Sequence, residues 1–175
     1  MIKTVGLFAD VSNLYYCIGK KYPDHKLDYN KYIIAATSGD NLFKAYAYGT
    51  EIKDEATGFK ACLKSFGYTP RYKKPRFNEL KNEYRNFDWN VGIALDVTRL
   101  VNRVHTIILG SSDPDLVPLI EWIHQNGAEC HIYACGISKE LKEITDYWTE
   151  VTEVLLEDPI KINTAQIDVE SFMKS

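Results

Sequence analysis

Short apolar runs alternate with longer amphipathic ones along most of the chain, which is the pattern of a parallel sheet covered by helices. The stretch "TVGLFAD" reads as a buried strand ending at Asp10, and "SNLYYCIGKK" as a helix for which Ser12 is a cap. A polar stretch from Tyr22 to Asp28 leads into "YNKYIIAAT", helical, and "NLFKAYAYGT", a strand rich in aromatics. "DEATGFKACLKSFG" predicts a helix stopped near Gly67, and "YTPRYK" a short strand kept near an edge by Pro70.

The alternation resumes after a basic, polar stretch. "WNVGIALDVTRLVNR" predicts an almost wholly apolar helix and "HTIILG" a β-branched strand. "PDLVPLIEWIHQNG" predicts a helix with Leu116, Leu119, Ile120 and Ile123 on one face, closing at Gly127. "AECHIYA" follows as a strand, "SKELKEITDYW" as a helix and "TEVLLE" as a final short strand. Residues 1–157 are expected to form the domain. Residues 158–175 are weakly patterned and are read as a tail that docks on the domain or on a partner. There is no internal repeat and no low-complexity segment.

Composition narrows the class. With 175 residues and 45% hydrophobic positions, the chain can bury one substantial core and is short for two domains. A formal net charge of −3 argues against a uniformly basic coat, but leaves room for a local basic patch. No signal-type segment and no apolar run of the ~18 residues that spans a bilayer are present, so the expected location is cytoplasmic, with no membrane partner. The four cysteines, Cys17, Cys62, Cys130 and Cys135, are scattered and read as buried thiols. Cys130, His131 and Cys135 match no paired zinc-knuckle spacing. His25, His105 and His124 lack a partner motif and read as satisfied polar residues.

The chemistry concentrates in acids at strand ends. Asp10 closes the first strand, and Asp113 and Asp115 follow the "HTIILG" strand in "LGSSDPDLVP". Ligands of open α/β sheets bind beyond the carboxyl ends of the strands, where strand order reverses. If the two strands are neighbours, these acids meet in one crevice. Asp96, inside an apolar helix, needs a cation or donors if it is buried. Crowded carboxylates raise one another's pKa unless a hard divalent cation neutralises them, and magnesium or manganese suits such a site. Phosphate-ester hydrolysis is the chemistry that follows. Each acid also has a plainer explanation. Asp113 before Pro114 resembles a helix cap with Asp115 favoured by the helix dipole, Asp10 a turn residue, and Asp96 a partner of Arg99.

"LFADVSNLYY", "VGIALDVTRL" and "IILGSSDPDLVPLI", in this order and spacing, resemble the NYN domain, the LabA-like branch of the PIN-like nuclease superfamily, from about Val5 to about Val154. The resemblance implies a three-layer α/β/α sandwich with a mainly parallel sheet of PIN-like, Rossmann-like topology. It also implies metal-dependent ribonuclease activity. Matched to the family's motifs, Asp10, Asp96, Asp113 and Asp115 are the implied magnesium or manganese ligands, and Asn13 is the asparagine following the first acid. Asn90 stands where the family has an aspartate opening the central helix, and it supplies no charge. That departure weakens the metal site, shifts its preference, or marks a member that binds without cutting. Asp88 is a substitute that helix geometry points elsewhere.

The stretch "RYKKPRFNELKNEYR" offers a substrate surface: Arg71, Lys73, Lys74, Arg76, Lys81 and Arg85 for phosphates, with Tyr72 among the aromatics for unpaired bases. Its alternative is a solvated loop and helix face in which Glu79 and Glu83 form ordinary ion pairs. An adhesion-type metal motif and an aspartyl-phosphate phosphatase are disfavoured at "ADVSNL", where Leu14 and Ser12 occupy their required positions, and no phosphate-binding glycine loop occurs. The expectation is therefore a metal-dependent ribonuclease acting on single-stranded RNA. The alternative is a catalytically weak or inactive PIN-like module that binds RNA or protein. "YWTEVTEVLL" serves either a homodimer contact or the core.

Overall fold

The computed structural model describes residues 2–51, 55–78, 83–85 and 88–157. Six parallel strands form one sheet, lying in the order third, second, first, sixth, seventh and eighth of the chain's strands. They are β1 (Thr4–Asp10), β2 (Asn41–Thr50), β3 (Tyr68–Lys73), β6 (Thr106–Gly110), β7 (Glu129–Ala134) and β8 (Tyr147–Glu150). A separate two-stranded hairpin pairs β4 (Arg76–Asn78) with β5 (Glu83–Arg85). Between the strands run α1 (Val11–Lys21), α2 (Tyr29–Thr37), α3 (Glu55–Ser65), α4 (Asn90–Leu100), α5 (Val117–Gln125) and α6 (Lys139–Ile144).

The chain steps from β1 outward to β2 and β3, then returns past β1 to continue with β6, β7 and β8. Right-handed crossovers therefore put α1, α2 and α3 on one face and α4, α5 and α6 on the other. Side-chain contacts agree: Tyr29 of α2 meets Tyr68 and Phe59 edge-on, whereas Tyr48 of β2 points the other way and bonds Asp96 of α4. β1 and β6 are the central pair and are almost wholly buried, as parallel strands covered on both faces must be. Their side chains join Leu14, Ile18, Tyr32, Ile93, Val97 and Ile120 in one core.

Three expectations are corrected. "SKELKEITDYW" is helical only to Ile144; Thr145 is extended and its hydroxyl donates to the Cys130 carbonyl, so Tyr147–Glu150 leaves as strand β8. "TEVLLE" is a 3-10 turn at Glu153–Leu155, followed by a lone bridge from Leu156 to Leu27. Helix α1 begins two residues earlier than a Ser12 cap would allow, because Asp10 is its cap and accepts from the Asn13 N–H at 3.0 Å. Of the thiols, Cys130 and Cys135 are buried and Cys17 is half-buried, while Cys62 is exposed. Among the described residues, no helix is long and apolar enough to cross a membrane. The stretch read as a tail lies outside the described residues.

Candidate functional site

The strand order reverses between β1 and β6. The chain leaves β1 toward one face through α1 and leaves β6 toward the other through α5. Open α/β sheets bind ligands in the crevice at the carboxyl ends of strands at such a reversal, which here are the ends of β1 and β6. Asp10 ends β1 and Asp113 follows β6, and the two strands are hydrogen-bonded neighbours. The Asn13 side chain ties the loops together, its Oδ1 accepting from Ser112 N–H at 3.0 Å and Ser112 hydroxyl at 3.2 Å.

Asp10 is 7% exposed. Burial pushes its pKa up to about 6, and the charges of Asp113 and Asp88 add to the rise. Hydrogen bonds from the Asn13 and Ser12 N–H groups oppose it. Asp113 caps a 3-10 turn, Pro114–Leu116, by accepting from Asp115 N–H at 2.9 Å. Its other oxygen accepts from Asn90 Nδ2 at 2.9 Å. That bond orients the amide so that Asn90 Oδ1 is buried with no hydrogen-bond partner. Asp88, the acid that helix geometry was expected to turn away, accepts from Asn90 N–H at 2.6 Å and lies close enough to act on Asp10.

The expected acidic group is thus divided. Asp10 and Asp113 face the crevice with Asn13, Asn90 and Asp88. Asp115 is exposed at the outer side of the 3-10 turn. Asp96 is buried over β2 and β3, where Tyr48 hydroxyl donates to it at 3.0 Å and Arg71 Nε at 3.2 Å. Arg99 binds its other oxygen at 2.9 Å. This carboxylate is neutralised by arginines, the partner that its burial required.

Magnesium is commonly held by one or two carboxylates, keeps several waters and accepts neutral oxygen ligands. Asp10, Asp113 and the unpartnered Asn90 Oδ1 supply that donor set. Among the described residues, no three His, Cys, Asp or Glu side chains gather tightly enough to cage an ion. The residues therefore fit a metal completed by water and substrate oxygens, and do not fit an all-carboxylate cage.

The basic stretch is also divided. Arg71 and Lys73 lie on the α4 face of β3, and Lys73 Nζ sits 4.0 Å from the Trp89 ring centroid. Tyr72 points to the opposite face, its hydroxyl buried without a partner and its pKa pushed up to about 12 by burial. Lys74 is exposed. Arg76 and Arg85 are register partners in the hairpin, and Lys81 lies outside the described residues. A recess of about 560 Å³ beside α2, lined by Lys3, His131, Tyr147 and Thr149, shares no residue with the acidic crevice.

Among solved structures, a protein of unknown function from Vibrio parahaemolyticus, VPA0982, is similar, with a TM-score of 0.80 and 26% identity over 89% of this chain and 97% of that one. The tetrameric inhibited form of phosphofructokinase-2 from Escherichia coli gives a TM-score of 0.39 and 14% identity, over 82% of this chain and 57% of that one. No curated protein matches significantly in sequence. The family model described as the NYN domain matches residues 4–155, which include every residue of the crevice. The chain belongs to the NYN domain family, a PIN-like nuclease family whose members typically use divalent metals.

Proposed function

We propose that the protein is a metal-dependent ribonuclease that hydrolyses phosphodiester bonds in single-stranded RNA. The observation that carries this reading is the convergence of Asp10, Asp113 and the unpartnered Asn90 oxygen at the point where strand order reverses. Asp10 and Asp113 would hold magnesium or manganese, with Asn90 as a neutral ligand or orienting group. When bound, such an ion lowers the pKa of a coordinated water and stabilises charge on the scissile phosphate. Asn13 positions the crevice by locking the loop after β6 to the start of α1. Asp113 is held from two sides, by Asn90 and by the backbone it caps, so its carboxylate keeps one orientation. Asp115 is exposed, and its proposed part is limited to outer-sphere water or incoming substrate. Asp96 is assigned a positioning role beneath the crevice, since both its oxygens are occupied by arginines and Tyr48.

Arg71, Lys73 and Lys74, with Arg76, Lys81 and Arg85 further along, are proposed to meet RNA phosphates near the crevice. Tyr72 is left out of that surface by its buried orientation. The replacement of a family acid by Asn90 supports the second reading, a module that binds RNA without cutting it. Labelled single-stranded RNA incubated with the purified chain in manganese, magnesium or EDTA separates the two. Cleavage that requires metal and is lost in Asp10→Asn establishes the nuclease; bound but intact RNA in every condition establishes the module.

A further inference from the structure

The sheet face that carries α4 is open beside that helix. Even-numbered residues of β2 point to this side, as Tyr48 shows by bonding Asp96 of α4. The face therefore presents Lys44 and Tyr46 from β2 and Arg71 from β3, with Arg99 reaching in from α4. Lys44 is exposed, Tyr46 is half-buried, and the side chains of Arg71 and Arg99 are 42% and 69% exposed. The Arg71 guanidinium lies 5.1 Å from the Tyr46 ring centroid, and Lys44 Nζ lies 5.9 Å from it. Among the described residues, one carboxylate, Asp96, pairs with both arginines, so cations outnumber carboxylates in this group of side chains, in a chain whose net charge is −3.

The rings form a row that leads to the crevice. Tyr46 and Tyr48 have centroids 6.1 Å apart, Tyr48 and Trp89 5.3 Å apart. The residue after Trp89 is Asn90, which bonds Asp113. Tyr48 is also the register partner of Asp10. Tyr48 and Trp89 are buried, so nucleic acid seated at Tyr46 would reach the acids beside the rings, over Arg71 and Lys73 of β3. Half-exposed Tyr46, packed from within by Phe8 and with cations from β2 and β3 beside it, suits an unstacked base whose phosphates meet those cations, and a duplex offers no such free base face.

We propose that Lys44, Tyr46, Arg71 and Arg99 form a single-stranded RNA subsite that feeds the acidic crevice, an inference that rests on the ribonuclease reading for its substrate. Three of these four residues lie outside the basic stretch that the sequence singles out. The test is fluorescence anisotropy of the full chain with a labelled oligouridylate of about ten nucleotides in EDTA, across a salt series. Replacing two cations, Lys44→Ala with Arg99→Ala, is expected to weaken binding at least tenfold and to reduce the slope of log affinity against log salt by about 1.4. Tyr46→Leu is expected to lose about tenfold with the slope unchanged, since it removes stacking and no charge. Wild-type affinity and slope in the double variant overturn the proposal, as does equal affinity for duplex RNA or no binding by the unaltered chain. Failure of the nuclease reading looks different: the binding losses persist while RNA stays intact in manganese.

Discussion

Asp10 carries opposing demands. As a helix cap it accepts backbone N–H groups, yet it is buried beside Asp113 and Asp88, and its pKa stands at about 6 against an ordinary 3.8. Between those values the folded chain binds more protons than the unfolded one, so stability falls as pH rises. The favourable contribution of the protonated acid is full below about 4 and is lost above about 6. The loss is on the order of 2–3 kcal/mol. Asn at this position keeps an oxygen for the cap and has nothing to ionise. Urea unfolding of the native chain and Asp10→Asn, both in EDTA, should therefore show the variant gaining that amount relative to the native chain between pH 4 and pH 7. A difference that stays flat, or shrinks with pH, would mean that Asp10 is not buried against other charges. The substitution expected to abolish cleavage is thus expected to stabilise the metal-free fold.

At the scale of elements, the centre of the sheet is built without slack. Gly110 ends β6 where a Cβ would stand 2.6 Å from Tyr32 hydroxyl and 3.0 Å from Ala9 Cα. Tyr32 is fixed by its own bond to the Tyr133 carbonyl, and the backbone of β1 cannot retreat without breaking its ladder. Gly110→Ala is expected to destabilise by roughly 1–3 kcal/mol. Gly19, in α1, is the control: a Cβ there would meet nothing within 4 Å, and Gly19→Ala should gain about 0.5–1 kcal/mol. Thermal melts that move in the same direction for both would refute this account of β6 packing. The buried parallel strands were legible because their apolar runs are long and bounded by turn residues. β8 was missed because Tyr147 and Trp148 directly follow an amphipathic helix, and only the long-range bond from Thr145 to Cys130 decides where that helix ends. The hairpin was missed because its strands are three residues each. Asp10 and Asp113 could be placed from strand ends alone, whereas Asn13 came from the resemblance to the family motif. For Asp96 the sequence shows Arg99, one helical turn away, and the structure pairs them; Arg71 and Tyr48, 25 and 48 positions away, could not be read.

Across the whole molecule, one reversal of strand order joins these facts. It brings the ends of β1 and β6 together, so that two carboxylates meet in a crevice that neither segment could make alone, and folding concentrates charge there at a cost. An ion that binds the folded crevice removes that cost, and by mass action it stabilises the chain by about 2.7 kcal/mol at a hundred times its dissociation constant. Because Asp10 ionises at about 6, metal and proton compete for it. Manganese should raise the melting temperature strongly at pH 7 and little at pH 5, where Asp10 is mostly protonated, and EDTA should reverse the rise. Asp10→Asn should remove most of the effect, whereas Asn90→Asp should enlarge it, lowering the melting temperature without metal by setting a third charge against Asp113 and raising it with metal. A manganese shift equal at both pH values, or untouched by Asp10→Asn, would place the ion elsewhere. If instead native chain and Asn90→Asp differ only in that the latter responds to manganese, the asparagine is what separates this chain from a metal-loaded nuclease.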